Sequence, residues 1–178
     1  MAALIEAARA PDFPAEIVLV LSNKGDAGGL TLARTAGIAT AAIDSKIYAG
    51  RDEFEAAMQA MLDIHRVDLI CLAGFMRILS APFVERWRGR LINIHPSLLP
   101  AFPGLDTHAR AIAAGAWEHG CTVHFVEAEV DSGPIIAQSR LAVAPGETAQ
   151  ALARRVLALE HALYREALAQ VAAGRVQI

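Results

Sequence analysis

Three residues of this chain combine types and spacings that suit acid–base chemistry. Asn93 and His95 lie two apart in Asn93-Ile94-His95-Pro96-Ser97, and Asp131 sits in the turn Val130-Asp131-Ser132-Gly133-Pro134. Residues two apart on a strand point to the same face. An amide that donates hydrogen bonds would therefore stand beside an imidazole that can hold a proton. Such a pair suits an oxyanion formed during acyl transfer, and a carboxylate facing His95 would favour the imidazolium form. Each residue also has an ordinary structural reading: a core Asn and His tied to backbone groups, and an Asp that shapes a Gly-Pro turn. Spacing alone leaves both open.

Other candidates carry less. His119, Cys121 and His124 resemble a metal-ligand cluster, but on a strand they do not converge and no second cluster completes four ligands, so no metal is expected. Gly28-Gly29 reads as a turn or helix start, and neither a G-x-G-x-x-G nor a phosphate-loop lysine motif occurs. Arg51 and Arg77 read as loop-placed cations suited to a ligand carboxylate or phosphate, or to solvent. No Gly-x-Ser-x-Gly elbow and no Cys/His arrangement points to covalent catalysis.

These residues need elements to place them. Glu16–Ser22 is a nearly continuous apolar run ending in Asn23-Lys24-Gly25, which suits a strand covered on both faces. The pattern then predicts a helix over 28–37, a strand over 40–43, a helix over 51–65, and strands over 67–73 and 90–95. Strand–helix alternation with short links predicts right-handed crossovers and a parallel sheet. Pro96, Pro100, Pro103 and Gly104 break that rhythm into a long loop. A helix over 108–115, strands over 121–126 and 135–143 forming an antiparallel hairpin, and a long helix from Thr148 to Gly174 complete the reading. In a parallel sheet, ligands bind beyond the carboxyl ends of strands. Two such ends run into Gly74–Leu79 and into Asn93–Ser97.

Composition bounds the answer. At 178 residues, one domain spanning 1–178 is expected, burying roughly 70% of its unfolded surface. Sixteen basic and nineteen acidic residues give a net charge of −3 with no block of one sign, which argues against a nucleic-acid or membrane partner. The longest apolar run, Leu69–Met76, is far short of a span. Glu6 and Arg9 interrupt the start, unlike a secretory signal. Cys71 and Cys121 read as buried thiols of a cytoplasmic protein.

The stretches Asn93–Pro100, Phe102-Pro103-Gly104-Leu105, His119-Gly120, Val123–Val126 and Val130–Ile136 closely resemble the phosphoribosylglycinamide formyltransferases. These are the folate-dependent enzymes that formylate glycinamide ribonucleotide (GAR) in purine synthesis. The likeness covers essentially the whole chain. The Asn-x-His-Pro-Ser core with a later Asp-x-Gly-Pro marks the wider formyltransferase group, and the surrounding residues favour the purine enzyme.

The resemblance implies a single-domain, Rossmann-like α/β fold. Its sheet would be mostly parallel, with helices on both faces and a C-terminal antiparallel hairpin. It implies that Asn93 and His95 polarise the transferred formyl group while Asp131 keeps His95 protonated. The matching folate-pocket positions are Arg51, Met76, Arg77, Ile78, Leu79 and Asn93. Glu127, Ala128, Glu129, Val130 and Asp131 would close over the pterin. Glu160 matches the carboxylate that holds the GAR amine. Leu79, taken as part of a loop tip, is expected to tolerate a polar replacement. The co-substrate would be 10-formyltetrahydrofolate, with no resident cofactor, and the protein would be a cytoplasmic monomer or homodimer.

Family members open with a strand and a phosphate-binding loop, which the resemblance places just upstream of Met1. The expectation is a natural start further upstream, and unpaired strand edges without that strand. Competing readings are a formyltetrahydrofolate deformylase, a methionyl-tRNA formyltransferase, and a folate-binding module without catalysis. The first two would carry an additional domain, for which 178 residues leave no room.

Overall fold

A computed structural model describes all residues, Met1–Ile178. In chain order the elements are α1 (Ala2–Ala7), β1 (Leu19–Ser22), α2 (Gly28–Thr35), β2 (Ala39–Ala42), α3 (Arg51–Ile64), β3 (Ile70–Leu72) and α4 (Ala81–Arg86). They continue with β4 (Leu91–His95), α5 (Thr107–Ala113), β5 (Glu118–Phe125), β6 (Ile135–Ala142) and α6 (Ala149–Ala172). No helix is long and apolar enough to cross a membrane.

Local chemistry explains the boundaries. The Thr148 side chain accepts the Ala151 N–H and caps α6, while Ser80 does the same for α4 through Phe83 N–H. The α3 helix starts after Gly50 with Asp52 and Glu53 in its first turn, where carboxylates complement the helix dipole. The sequence reading missed α4. Its signal was Ser80-Ala81-Pro82, a cap followed by a proline in the first turn, where proline loses no hydrogen bond.

The expected α/β architecture is present, and its pairings divide evenly. β1 pairs with β2 and β3 with β4 in parallel, whereas β4–β5 and β5–β6 are antiparallel. The hairpin is therefore as expected, and the antiparallel character begins one strand earlier. The strands form two sheets, β1–β2 and β3–β4–β5–β6. The first and third strands are shorter than their apolar runs. Glu16–Val18 and Val67–Leu69 lie outside them, because length of an apolar run does not say where a partner strand begins.

Two cores sandwich the larger sheet. On one face Ile92, Cys121, Val123 and Phe125 pack on Leu152, Val156, Leu163, Tyr164 and Leu168 of α6. On the other, Leu91 packs with Phe54, Met58 and Leu62 of α3, Leu79, and Phe83 and Val84 of α4. Leu19 and Leu21 of β1 and Ile70 and Leu72 of β3 reach that second core, yet the two strands are not paired with each other. Every residue of both strands stays half-buried. β1 and β3 thus each keep one edge without a strand partner. The accessible surface, 9821 Å², exceeds the roughly 8,000 Å² that scaling gives for a chain of this mass.

Candidate active site

Alternation along β4 decides what faces the site. Ile92 belongs to the core under α6, so Asn93 and His95 point to the other face, in line with Leu91. The antiparallel register sets His124 opposite Asn93 and Thr122 opposite His95. A register shift at Val123/His124 marks a bulge in the β5–β6 pairing at that point. Bulges of this kind re-aim side chains beside functional sites.

His95 is buried, and each ring nitrogen faces an acceptor. Nδ1 lies 3.3 Å from Asp131 Oδ2, and Nε2 is 3.0 Å from the Phe102 carbonyl, to which it donates. A ring with one proton can serve only one of these acceptors; the imidazolium serves both. Asp131 is itself pinned. Its Oδ2 accepts the Gly104 N–H at 2.8 Å, and its backbone is left-handed at φ +55, a conformation Asp tolerates better than most residues. Two positions on, Gly133 lies so close to β5 that an added Cβ would stand 1.9 Å from the Phe125 carbonyl oxygen. The turn can approach the sheet only because Gly133 has no side chain.

His124 completes the cluster. Its Nδ1–H donates to the Phe125 carbonyl at 2.8 Å, which leaves Nε2 as an acceptor for the Asn93 amide N–H at 3.3 Å. Burial lowers its pKa, opposed by the Phe125 carbonyl and by the Asp131 charge, whose Oδ1 is 3.8 Å from Nε2. The buried, neutral ring therefore spends one amide hydrogen of Asn93 and leaves the other free.

The loop after β4 is anchored by side chains that sequence reasoning passed over. Thr122 Oγ donates to the Ser97 carbonyl at 2.7 Å and accepts from Leu99 N–H and Gln138 Nε2. Gln138 also donates to the Leu99 carbonyl, and Thr107 Oγ to the Pro96 carbonyl. These bonds hold the loop in which the Ser97 hydroxyl donates to the Ala101 carbonyl at 2.6 Å and reaches the Phe102 carbonyl, the acceptor for His95, at 3.2 Å. No sequence signal marks Thr122 or Gln138; their roles come from register across two strands. For His124 the local signal was a metal-like pattern with His119 and Cys121, which strand geometry already argued against. Cross-strand pairing turns it toward Asn93, while His119 Nε2 lies 3.1 Å from His108 Nδ1.

Apart from Arg51 and Asn93, the positions that the resemblance assigns to folate fall in two loops, one following β3 and one following β5, whose Asp131 reaches His95. Met76 and Ile78 are 74% and 64% exposed, and the Arg77 guanidinium stacks 5.2 Å from the Phe54 ring centroid. Arg51 is exposed as the first residue of α3, so it is a helix-start cation and not a loop one. Leu79 requires a correction. It is no loop tip: it is buried in the core with Phe54, Met58, Phe83 and Trp87, where a polar replacement would face apolar side chains. In the second loop Ala128, Glu129 and Val130 are exposed, and Glu127 and Asp131 are half-buried. Phe75 and Val126, at the roots of the two loops, pack on the same core.

Glu160 stands apart from this group. It is half-buried on α6, and burial raises its pKa. Its charge also acts on Cys121, which faces α6. Cys71 and Cys121 are free thiols with pKa values pushed up to about 12 by burial, so neither is a nucleophile at neutral pH.

Residues 1–168 match the family model described as formyl transferase. The trifunctional purine biosynthetic protein adenosine-3 of Gallus gallus is 51% identical over 176 residues, covering 99% of this chain but 18% of that protein. Phosphoribosylglycinamide formyltransferase of Escherichia coli strain K12 is 42% identical, covering 99% of this chain and 83% of that enzyme. Among solved structures, phosphoribosylglycinamide formyltransferase from Brucella melitensis superposes with a TM-score of 0.93 at 55% identity, covering 91% of that chain. Glycinamide ribonucleotide transformylase 1 from Symbiobacterium toebii gives 0.96 at 44% identity, covering 84% of that chain.

Proposed function

The chain belongs to the formyl transferase family, and we propose that it moves the formyl group of 10-formyltetrahydrofolate to the amine of GAR in purine (IMP) biosynthesis. The observation that carries this reading is His95, held between the Asp131 carboxylate and the Phe102 carbonyl, with the Asn93 amide on the same sheet face. The relatives named as phosphoribosylglycinamide formyltransferases support it.

In this reading the GAR amine attacks the formyl carbon and a C–N bond forms. Charge builds on the formyl oxygen. The free amide hydrogen of Asn93 meets it, and the positive charge of the His95 ring, whose two N–H groups are held by Asp131 and the Phe102 carbonyl, stabilises it through space, worth most in a site shielded from water. Asp131 offsets the charge of the ring. The tetrahedral species then collapses: the bond from carbon to the folate nitrogen breaks, and the proton shed by the attacking nitrogen ends on that leaving nitrogen. No residue is acylated, and folate leaves as tetrahydrofolate.

The exposed apolar pair Met76 and Ile78, with Arg77 between them in the chain and Arg51 exposed at the start of α3, suits a flat heterocycle carrying an anionic tail. The 127–131 loop is its other wall, and Glu160, half-buried on α6, is the group that the family resemblance gives to the GAR amine. The partners are small molecules, the residence is the cytoplasm, and folate is consumed at each turnover and not kept.

Incubation with 10-formyltetrahydrofolate, with and without GAR, tests the reading by tetrahydrofolate release. Release that depends on GAR is expected. Release without GAR would mean hydrolysis, and binding without release a folate-binding module.

A further inference from the structure

Glu55 is a buried carboxylate with no cation beside it. Both of its oxygens go to one residue 25 positions downstream. Oε1 accepts the Ser80 N–H at 2.7 Å, and Oε2 accepts the Ser80 hydroxyl. Ser80 in turn caps α4 by accepting the Phe83 N–H.

The segment just before Ser80 has few other tethers. No backbone group from Ala73 to Leu79 hydrogen-bonds to another backbone group. Besides the Glu55 contact, it is held by Leu79 and the half-buried Phe75 in the core that includes Phe54 and by Arg77 stacked over the Phe54 ring. The Glu55, Leu79 and Arg77 anchors lead to the first turns of α3, the helix that opens with Arg51. Ser80 can cap α4 without Glu55, and burying a carboxylate against neutral donors is costly. A cap alone does not call for that arrangement.

We infer that Glu55 is a positioning residue for the co-substrate site. It fixes the 73–80 segment against α3, so that the free backbone groups of Met76–Leu79 and the Arg51 and Arg77 cations keep one geometry toward the heterocycle. The inference rests on the function proposed above. Glu55 touches no substrate and acts only through the segment it ties down.

Glu55→Gln and Ser80→Ala test it. A bond to a charged acceptor that is lost from loop order corresponds to about a tenfold weakening. Each variant should therefore raise KM for 10-formyltetrahydrofolate by about tenfold, with kcat and the KM for GAR held within about twofold. The double variant should do little more than either single one. A ligand-free readout accompanies this: trypsin cleavage after Arg77 should quicken by about tenfold relative to cleavage at other sites. Unchanged KM and unchanged cleavage at Arg77 would overturn the inference. So would a uniform fall of all parameters that tracks the folded fraction. If the parent protein turns over no folate, the functional reading fails, and the cleavage arm alone decides whether Glu55 fixes the segment.

Discussion

Asn93 Nδ2 lies 3.3 Å from His124 Nε2, and the orientation of that contact is set on the far side of the imidazole ring, where Nδ1–H donates to the Phe125 carbonyl. His124 thereby decides which amide hydrogen of Asn93 is left to face substrate. Replacing His124 by Leu strands a half-buried amide, a loss of about 1–3 kcal/mol. The expected outcome is a fall in kcat of roughly ten- to a hundredfold with a small change in KM for folate, read by steady-state kinetics.

Gly133→Ala places a Cβ 1.9 Å from a backbone oxygen that cannot swing away. Forcing atoms into a packed site costs about 1–3 kcal/mol even when side chains can adjust. Thermal melting should show a drop on the order of 5 °C or more. The turn that carries Asp131 should also shift, lowering kcat in whatever fraction stays folded.

Leu79 and Ile78 should separate fold from binding. Leu79 is buried in the core against α3 and α4, whereas Ile78 is 64% exposed. Leu79→Glu buries an unpaired charge and should unfold the chain. Ile78→Glu should melt like the parent protein but bind 10-formyltetrahydrofolate more weakly by calorimetry. Equal stability of the two variants would contradict the packing.

Acid should destabilise the loop around His95. The pKa of His119 is lowered to about 4, by burial first and by His108 next, and His108 and His124 are lowered too. A histidine whose folded pKa is depressed binds its proton more readily when unfolded. For His119 stability is then full above about pH 6.5 and is lost as pH falls toward 4, by about 1.4 kcal/mol per unit, and His108 and His124 add to the loss in the same direction. His119, fully buried with Nδ1 unpartnered, should account for about 3 kcal/mol of that loss. Urea midpoints at pH 7 and pH 5 check this, and His119→Phe should flatten the difference.

Much of the site was legible because its spacing obeys strand geometry. Asn93 and His95 share a face for the reason any i, i+2 pair does, and Asp131 meets His95 as the family resemblance, though not its turn alone, implied. His124, Thr122 and Gln138 were not legible. Their contacts depend on which residues stand opposite each other across β4, β5 and β6, and an antiparallel register is not written in either strand alone. Leu79 was misplaced for a similar reason: the loop ends one residue before the α4 cap, and the missed helix hid the core that takes its side chain.

The contact of His95 with Asp131 is the centre of this account, and Asp131→Asn addresses it with the least disturbance of shape. The amide preserves volume and can still accept the Gly104 N–H, but it brings no charge to the ring. Acid–base groups typically contribute about 10²–10⁴-fold. Single-turnover formyl transfer to GAR should therefore slow by about that factor, with the dissociation constant for 10-formyltetrahydrofolate nearly unchanged. A transfer rate in Asp131→Asn equal to that of the parent protein would contradict the account.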